Sequence, residues 1–80
     1  MDDQLLERIE LNPKVMVGKP VIRGTRVPVE LLVRLLAQGI KEDEILRGYP
    51  RLEAEDIRAA LTYAARVLAH EDVIHITITT

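Results

Sequence analysis

The side chains that could do chemistry are few in this 80-residue chain, and their types indicate binding rather than catalysis. The chain has no cysteine, and no Ser/His/Asp or Cys/His set could form a nucleophilic triad. Its two histidines, His70 and His75, have no third ligand at a familiar spacing and so predict no metal site. We therefore expect no enzyme activity, no metal and no cofactor.

The candidate binding residues lie in one basic segment of the chain. From Lys14 to Arg34 there are five basic residues and one acidic residue, a net charge of +4, whereas residues 1–13 and residues 35–80 each carry −3. The net charge of −2 for the whole chain hides this segregation. A cationic segment between acidic flanks favours an anionic partner such as a phosphate backbone.

Within this segment, the run from Gly18 to Pro28 predicts a turn that presents arginines. A phosphate-binding P-loop needs Gly-Lys-Ser/Thr leading into a helix, so the P-loop interpretation fails because Lys19 is followed by Pro20. Two guanidinium groups beside a Gly-Thr turn could instead contact phosphate oxygens, together with nearby backbone N–H groups. The alternative is that these arginines pair with the acidic flanks and only fix the turn. The candidate nucleic-acid-binding residues are Lys19, Arg23, Thr25, Arg26 and Arg34.

The elements that must position these residues are mainly helical. Apolar spacing predicts helices from Pro28 to Gln38, from Lys41 to Arg47 and from Glu53 to His70, and Gly39 is expected to end the first. Because the third helix begins with several carboxylates, it would repel phosphate, and the basic segment is the better contact surface. The stripe that the third helix is expected to bury consists of Ala54, Ile57, Leu61, Ala64, Ala65 and Leu68.

Short β segments are predicted on both sides of the helices. Between Ile9 and Val27, the β-branched runs Val15–Val17 and Val21–Ile22 predict two short strands or a bent loop. The tail Val73–Thr80 switches to a period of two, which predicts a strand. Such a strand needs cover from the N-terminal β segment, from a second subunit or from another protein. The candidate partner-binding residues are therefore Ile74, Ile76 and Ile78.

Five motifs of the chain together resemble one known family. They are Gly18–Val29, Gly39 with Glu44–Leu46, Tyr49–Leu52, Glu55–Ile57 and Ala59–Ala64. On these motifs, the chain resembles the domain-of-unknown-function family DUF433 over about residues 9–66. The resemblance covers most of the chain, and the Gly-Lys-Pro-Val-Ile-Arg-Gly-Thr-Arg run is its most specific part.

The resemblance implies a VapB-like antitoxin with a homeodomain-like or winged helix-turn-helix fold. Such a protein would bind its own operator and neutralise a PIN-like or Mut7-C-like ribonuclease toxin, and Arg23–Arg26 match the signature turn. The family tends to have Ser or Thr before the second and third helices, where this chain has Lys41 and Glu53. Those two helix starts are expected to be less stable by about 1 kcal/mol each, unless a neighbouring residue provides the cap.

The expected protein is a single domain over residues 1–80, with a family core at 9–70 and a strand tail at 73–80. Its expected fold is mainly α, a three-helix homeodomain-like helix-turn-helix core with a short N-terminal β segment and a C-terminal β-strand. We expect a cytoplasmic homodimer that does not enter membranes, because the N-terminus lacks signal-peptide features and no apolar stretch reaches membrane-spanning length. The alternative is a protein-interaction module that does not bind DNA and uses the C-terminal strand.

Overall fold

A computed structural model describes residues 3–70, which form a mostly helical fold with one small sheet. In chain order, the elements are α1 (Asp3–Leu6), β1 (Ile9–Leu11), a 3₁₀ turn (Met16–Gly18), β2 (Pro20–Ile22), α2 (Val29–Ala37), α3 (Glu42–Gly48) and α4 (Ala54–His70). No helix in the described range is long and apolar enough to span a membrane. The predicted C-terminal strand, with Ile74, Ile76 and Ile78, lies outside the described residues.

The three predicted helices are confirmed as α2, α3 and α4, with small differences at their ends. Pro28 is the N-cap of α2, with an extended backbone, rather than its first helical residue. The predicted stop at Gly39 is confirmed. Gly39 has φ +88°, and its N–H donates to the carbonyl of Leu36 at 3.0 Å while that of Ile40 donates to Leu35 at 3.1 Å. These bonds satisfy carbonyls that the end of α2 leaves free.

For the run Val15–Val17, the sequence left a short strand or a bent loop open, and the structure has the bent loop. Val15 has an extended backbone, but the chain turns directly after it, because Met16, Val17 and Gly18 all have φ between 51° and 80°, which no strand can accommodate. The turn begins at Asn12, whose side-chain oxygen accepts the N–H of Lys14 at 2.9 Å. This bond is an Asx turn and competes with continued strand pairing. The alternative of a bent loop therefore describes this stretch, and only the second β-branched run is a strand.

The two strands form an antiparallel hairpin that leads directly into α2. Ile9 pairs with Ile22 and Leu11 with Pro20. After β2, the chain turns back at once, because Val21 forms an isolated bridge with Pro28. The N–H of Ile22 also donates to the carbonyl of Val27 at 2.9 Å. The run from Arg23 to Arg26 is therefore a tight turn between the sheet and α2.

The core lies where α2, α3 and α4 meet β2. Its buried cluster consists of Ile22, Val29, Leu32, Ile45, Leu52, Ile57 and Ala60. The buried face of α4 differs from the predicted stripe, since Ala59 and Ala60 are buried whereas Leu61 and Leu68 are 45% and 59% exposed. At about 100° per residue, the real face is rotated by roughly a quarter turn. Alanines allow α2 to pack closely against this face of α4.

Candidate nucleic-acid interface

The turn between β2 and α2 is held by Thr25. Its Oγ1 donates to the carbonyl oxygen of Ile22 at 2.7 Å and accepts the N–H of Val27 at 3.0 Å. The N–H of Thr25 donates to the same Ile22 carbonyl at 3.0 Å. Gly24 has φ +79°, a conformation that favours glycine. Local hydrogen bonds therefore fix this turn without help from the arginine side chains.

Arg23 and Arg26 are exposed at the surface of the turn. Neither side chain makes a hydrogen bond or an ion pair with any residue in the range 3–70. Pairing of these arginines with the acidic flanks is therefore not seen in the described part of the chain. Both guanidinium groups keep their five N–H donors available to an outside acceptor.

Lys19 and Arg34 differ from these arginines because both are paired with Glu30. Arg34 forms an ion pair with Glu30 one helical turn away on α2. The Nζ of Lys19 lies 3.9 Å from Oε2 of the same carboxylate. All three side chains are more than half exposed, so the pairs contribute little to stability but partly neutralise the local positive charge.

A groove beside the turn brings Arg26 together with a second exposed arginine, Arg51. The groove has a volume of about 590 Å³ and separates the turn from the Tyr49–Leu52 segment between α3 and α4. Among the described residues, the charged side chains that line it are Arg26 and Arg51. Its remaining wall is mostly apolar, with Val27 and the half-buried ring of Tyr49. The arrangement fits an anionic ligand, because two exposed guanidinium groups line the groove and no carboxylate of the described residues does.

Arg51 is a functional candidate that sequence reasoning missed. It lies in the Tyr-Pro-Arg-Leu motif, which carried part of the family resemblance, but it is 25 residues from Arg26. Within residues 3–70, Arg51 makes no ion pair or side-chain hydrogen bond. A signal was present, because two motifs of the same family resemblance each contain an arginine. Only the folded chain shows that these two arginines are unpaired within the described residues and line one groove.

Arg23 lies on the other side of the turn, in a groove of about 690 Å³ with mixed charge. This groove holds three basic and four acidic residues, so its net charge is −1. The charged residues that line it are Arg8, Arg23, Arg51, Glu7, Glu53, Glu55 and Asp56. A phosphate would be repelled by the carboxylates here. Arg51 lines both grooves, and the cationic one is the groove that it shares with Arg26, which no carboxylate of the described residues lines.

Arg8 connects the turn to the start of α4. The sequence did not indicate this role, because Arg8 lies in the acidic segment of residues 1–13. Its carbonyl oxygen accepts the N–H of Arg23 at 2.7 Å. Its NH1 donates to Oε1 of Glu53 at 2.9 Å and to Oδ1 of Asp56 at 3.0 Å. These hydrogen bonds raise the pKa of Arg8 above its usual value, Glu53 contributing most and Asp56 next. These ion pairs partly neutralise Glu53 and Asp56, two of the carboxylates that are expected to repel phosphate.

The two helix starts that lack Ser or Thr differ in whether a side chain caps them. Lys41, at the N-cap of α3, makes no side-chain cap hydrogen bond, as predicted. At the start of α4, a neighbour provides a partial substitute, because Oδ2 of Asp56 accepts the N–H of Glu53 at 2.8 Å. Asp56 is nearly buried, at 6% exposed. The carboxylate is therefore half of a capping box, reaching back from the first helical turn.

Comparisons with known proteins agree on one family but assign no activity. The family model described as "Protein of unknown function (DUF433)" matches residues 9–64. The uncharacterized protein y4eO of Sinorhizobium fredii is 41% identical over 58 residues, which span 72% of this chain and 26% of that protein. An uncharacterized protein of Archaeoglobus fulgidus is 60% identical over 30 residues, which span 38% of this chain and 83% of the relative.

A solved structure also resembles the chain. The crystal structure of a DUF433 member protein from Anabaena variabilis matches with a TM-score of 0.75 and 39% sequence identity. The match covers 84% of this chain and 66% of that one. The chain thus spans about a quarter of the Sinorhizobium protein and about two thirds of the Anabaena protein.

Proposed function

The chain belongs to the DUF433 family of proteins of unknown function, and we propose that it is a DNA-binding protein of the VapB-like antitoxin type. The observation that supports the proposal is the groove of Arg26 and Arg51. Both guanidinium groups are exposed, both are unpaired within the described residues, and no acidic residue of that range lines the groove with them. Two free forked donors at one surface suit the oxygens of adjacent phosphates.

The rigidity of the turn explains how these arginines would act. Hydrogen bonds of Thr25 hold the backbone on either side of Arg26, so little backbone freedom is lost when a phosphate binds. Arg51 lies in the short segment between two helices, beside the buried Leu52. Contacts of this kind position a duplex and release counterions, and they carry little sequence information.

The homeodomain-like helix-turn-helix interpretation is part of the proposal. It is supported by the succession of α2, α3 and α4 with a glycine turn after α2. In such folds, a recognition helix presents its N-terminal residues to base edges. Here, α4 begins with carboxylates, two of which bind Arg8. We therefore assign the phosphate contacts to the arginine groove, and any base contacts would need other residues.

The antitoxin role adds a protein partner, a PIN-like or Mut7-C-like ribonuclease toxin. The family resemblance supports it, together with the predicted strand that carries Ile74, Ile76 and Ile78 outside the described residues. The second candidate function, an interaction module without DNA binding, uses the same strand. The two candidates differ in one respect, since only the first requires Arg26 and Arg51 to contact DNA.

Binding of a labelled duplex from the chain's own promoter, measured by fluorescence anisotropy at several salt concentrations, tests the proposal. We expect affinity to fall steeply with salt. Arg26→Ala and Arg51→Ala should each weaken binding and reduce the slope of log K against log salt by about 1. Arg47→Ala is the control, because Arg47 is an exposed arginine on α3 that pairs with Asp43 at 3.7 Å and lines neither groove beside the turn. The control should bind almost as the parent does.

The same titrations are run with and without the purified toxin. Absence of binding at low salt in both series contradicts the DNA role and leaves the interaction module. Equal weakening by all three arginine substitutions shows that binding depends on overall charge rather than on the groove, which also contradicts the proposal. Circular dichroism of each variant checks that the helices are retained.

A further inference from the structure

A groove on another face of the molecule lies between α2 and α4, and its lining is almost entirely apolar. It has a volume of about 460 Å³ and is lined by Val33, Ala37, Tyr63, Ala64, Val67 and Leu68, among others. Two of these large side chains remain uncovered within the described residues, since Val67 is 38% exposed and Leu68 is 59% exposed. An apolar groove of this kind on a small domain marks an interaction surface.

We propose that this groove is where a second copy of the chain docks, forming a dimer with two-fold symmetry. A two-fold axis places one patch against the same patch of the partner, so a docking surface of this kind must be complementary to itself. The charges at the edge of the groove meet this condition. Glu30 and Arg34 both line it, have opposite charges and lie one turn apart on α2.

Glu30 and Arg34 already pair with each other within one protomer. In the proposed dimer, the two-fold axis would bring Glu30 of one protomer near Arg34 of the other, so that the two intrachain pairs join into one network of alternating charges. An edge with charges of one sign would repel its own copy. Two opposite charges at the edge and apolar side chains at the centre are instead the usual arrangement of a protein interface. The charge pattern therefore favours a second copy over a partner with one dominant charge.

The shape of the groove favours helix packing. The groove is lined by the small side chains of Ala37 and Ala64 as well as by the larger Val33 and Val67, and a surface of small and large side chains accepts the ridge of a neighbouring helix. The groove is also continuous with the core, because the buried Val29 lines it as well. Docking would therefore extend the hydrophobic core of a domain whose size leaves it a small margin of stability.

The dimer does not depend on the proposed DNA role. Arg26 and Arg51 line a different groove, and none of the residues that line the groove between α2 and α4 is shared with it. Both grooves can be occupied at the same time. A dimer built in this way would carry two arginine grooves, which is how two-fold symmetric proteins contact two half-sites of a duplex.

Sedimentation equilibrium of the full chain over a wide concentration range tests the proposal. The parent should have twice the chain mass of 9.1 kDa, and Val67→Glu should have the mass of one chain, because a carboxylate would be buried in an apolar interface. Ala65→Glu is the matched control on the same helix. Ala65 is exposed and does not line the groove, so this variant should remain a dimer. Circular dichroism shows whether each variant is folded.

A charge exchange tests the symmetry directly. Glu30→Arg alone and Arg34→Glu alone each place like charges across the axis and should weaken dimerisation by about tenfold or more. The double variant restores opposite charges and should restore the dimer. A chain that is monomeric at every concentration overturns the proposal, as does a dimer that Val67→Glu and Ala65→Glu affect equally. A monomer in which Ile76→Asn increases hydrogen exchange around Val67 assigns the groove to the chain's own C-terminal segment and also overturns it.

Discussion

At the scale of single residues, Thr25 fixes the backbone of the signature turn, whereas Arg26 provides its exposed positive charge. The hydroxyl group acts as donor to Ile22 and as acceptor from Val27, so its donor proton is already in use. The sequence predicts Thr25 to be a nucleic-acid-binding residue, but these two bonds favour a role in holding the turn. Arg26 is thereby left free for a ligand, and substitutions at the two positions should have different effects.

Replacing Thr25 by Val keeps the shape of the side chain and removes both hydroxyl bonds. We expect the free energy of unfolding to fall by about 1–2 kcal/mol, because the carbonyl of Ile22 and the N–H of Val27 each lose a partner. Urea denaturation measures the change. The control is Thr62→Val on α4, since Thr62 is half-buried and its hydroxyl makes no hydrogen bond within the described residues. Equal effects at the two threonines would contradict this role.

At the scale of elements, the carboxylate of Asp56 links the start of α4 to the N-terminal part of the chain. Asp56 accepts the N–H of Glu53 with Oδ2 and the guanidinium of Arg8 with Oδ1. Arg8 in turn accepts the N–H of Arg23 with its carbonyl. The start of α4, the β1 side of the hairpin and the signature turn are thus joined by a continuous series of hydrogen bonds.

Replacing Asp56 by Ala should therefore lower the free energy of unfolding by more than the loss of an ordinary surface carboxylate does. We expect a loss of about 1–3 kcal/mol in unfolding free energy, because the cap of α4 and a nearly buried partner of Arg8 are removed together. Asp43→Ala on α3 is the comparison. Asp43 is exposed and lies 3.7 Å from Arg47, so its loss should change stability by less than about 1 kcal/mol. Thermal or urea unfolding of both variants measures the two changes in unfolding free energy. Similar changes would exclude a special role for Asp56.

At the scale of the whole molecule, stability depends on one small aliphatic core. The described residues bury no aromatic side chain completely, and the largest fully buried ones are Ile22, Leu32, Ile57 and Val21. A domain of this length has a total stability of about 4–12 kcal/mol at the usual value per residue. A single cavity in the core can therefore remove a large part of it.

Leu32→Ala should destabilise the protein by about 2–5 kcal/mol, because Leu32 is fully buried where α2 meets the rest of the core. Leu61→Ala is the matched control, since Leu61 is 45% exposed on α4 and lies outside the core cluster. Its effect should be well below that of Leu32→Ala. Denaturant midpoints at one fixed protein concentration provide the comparison, because any dimer adds stability that depends on concentration. A larger loss at Leu61 would mean that the stripe predicted from the sequence is the buried one in solution.

Much of the fold could be predicted from local patterns. Leucines at helical spacing specify α2, acidic residues in the first turn support α3, and Gly39 ends α2 because its left-handed conformation costs glycine little. At two places the sequence was not decisive: it left two alternatives open for the run Val15–Val17, and its predicted buried face of α4 is wrong. The β-branched run Val15–Val17 is a turn because Asn12 competes for the backbone. The buried face of α4 is set by what packs against it.

The family, the helices and the basic character of the segment from Lys14 to Arg34 follow from the sequence by itself, because they depend on residue types and short spacings. Which of the five predicted site residues are free to bind was decided only by tertiary structure. Glu30 pairs with Lys19 and Arg34, carboxylates line the groove of Arg23, and Arg26 lines another groove with Arg51 from a distant motif. Electrostatic interactions act through space, so residues that are far apart in the chain determine which charges remain available.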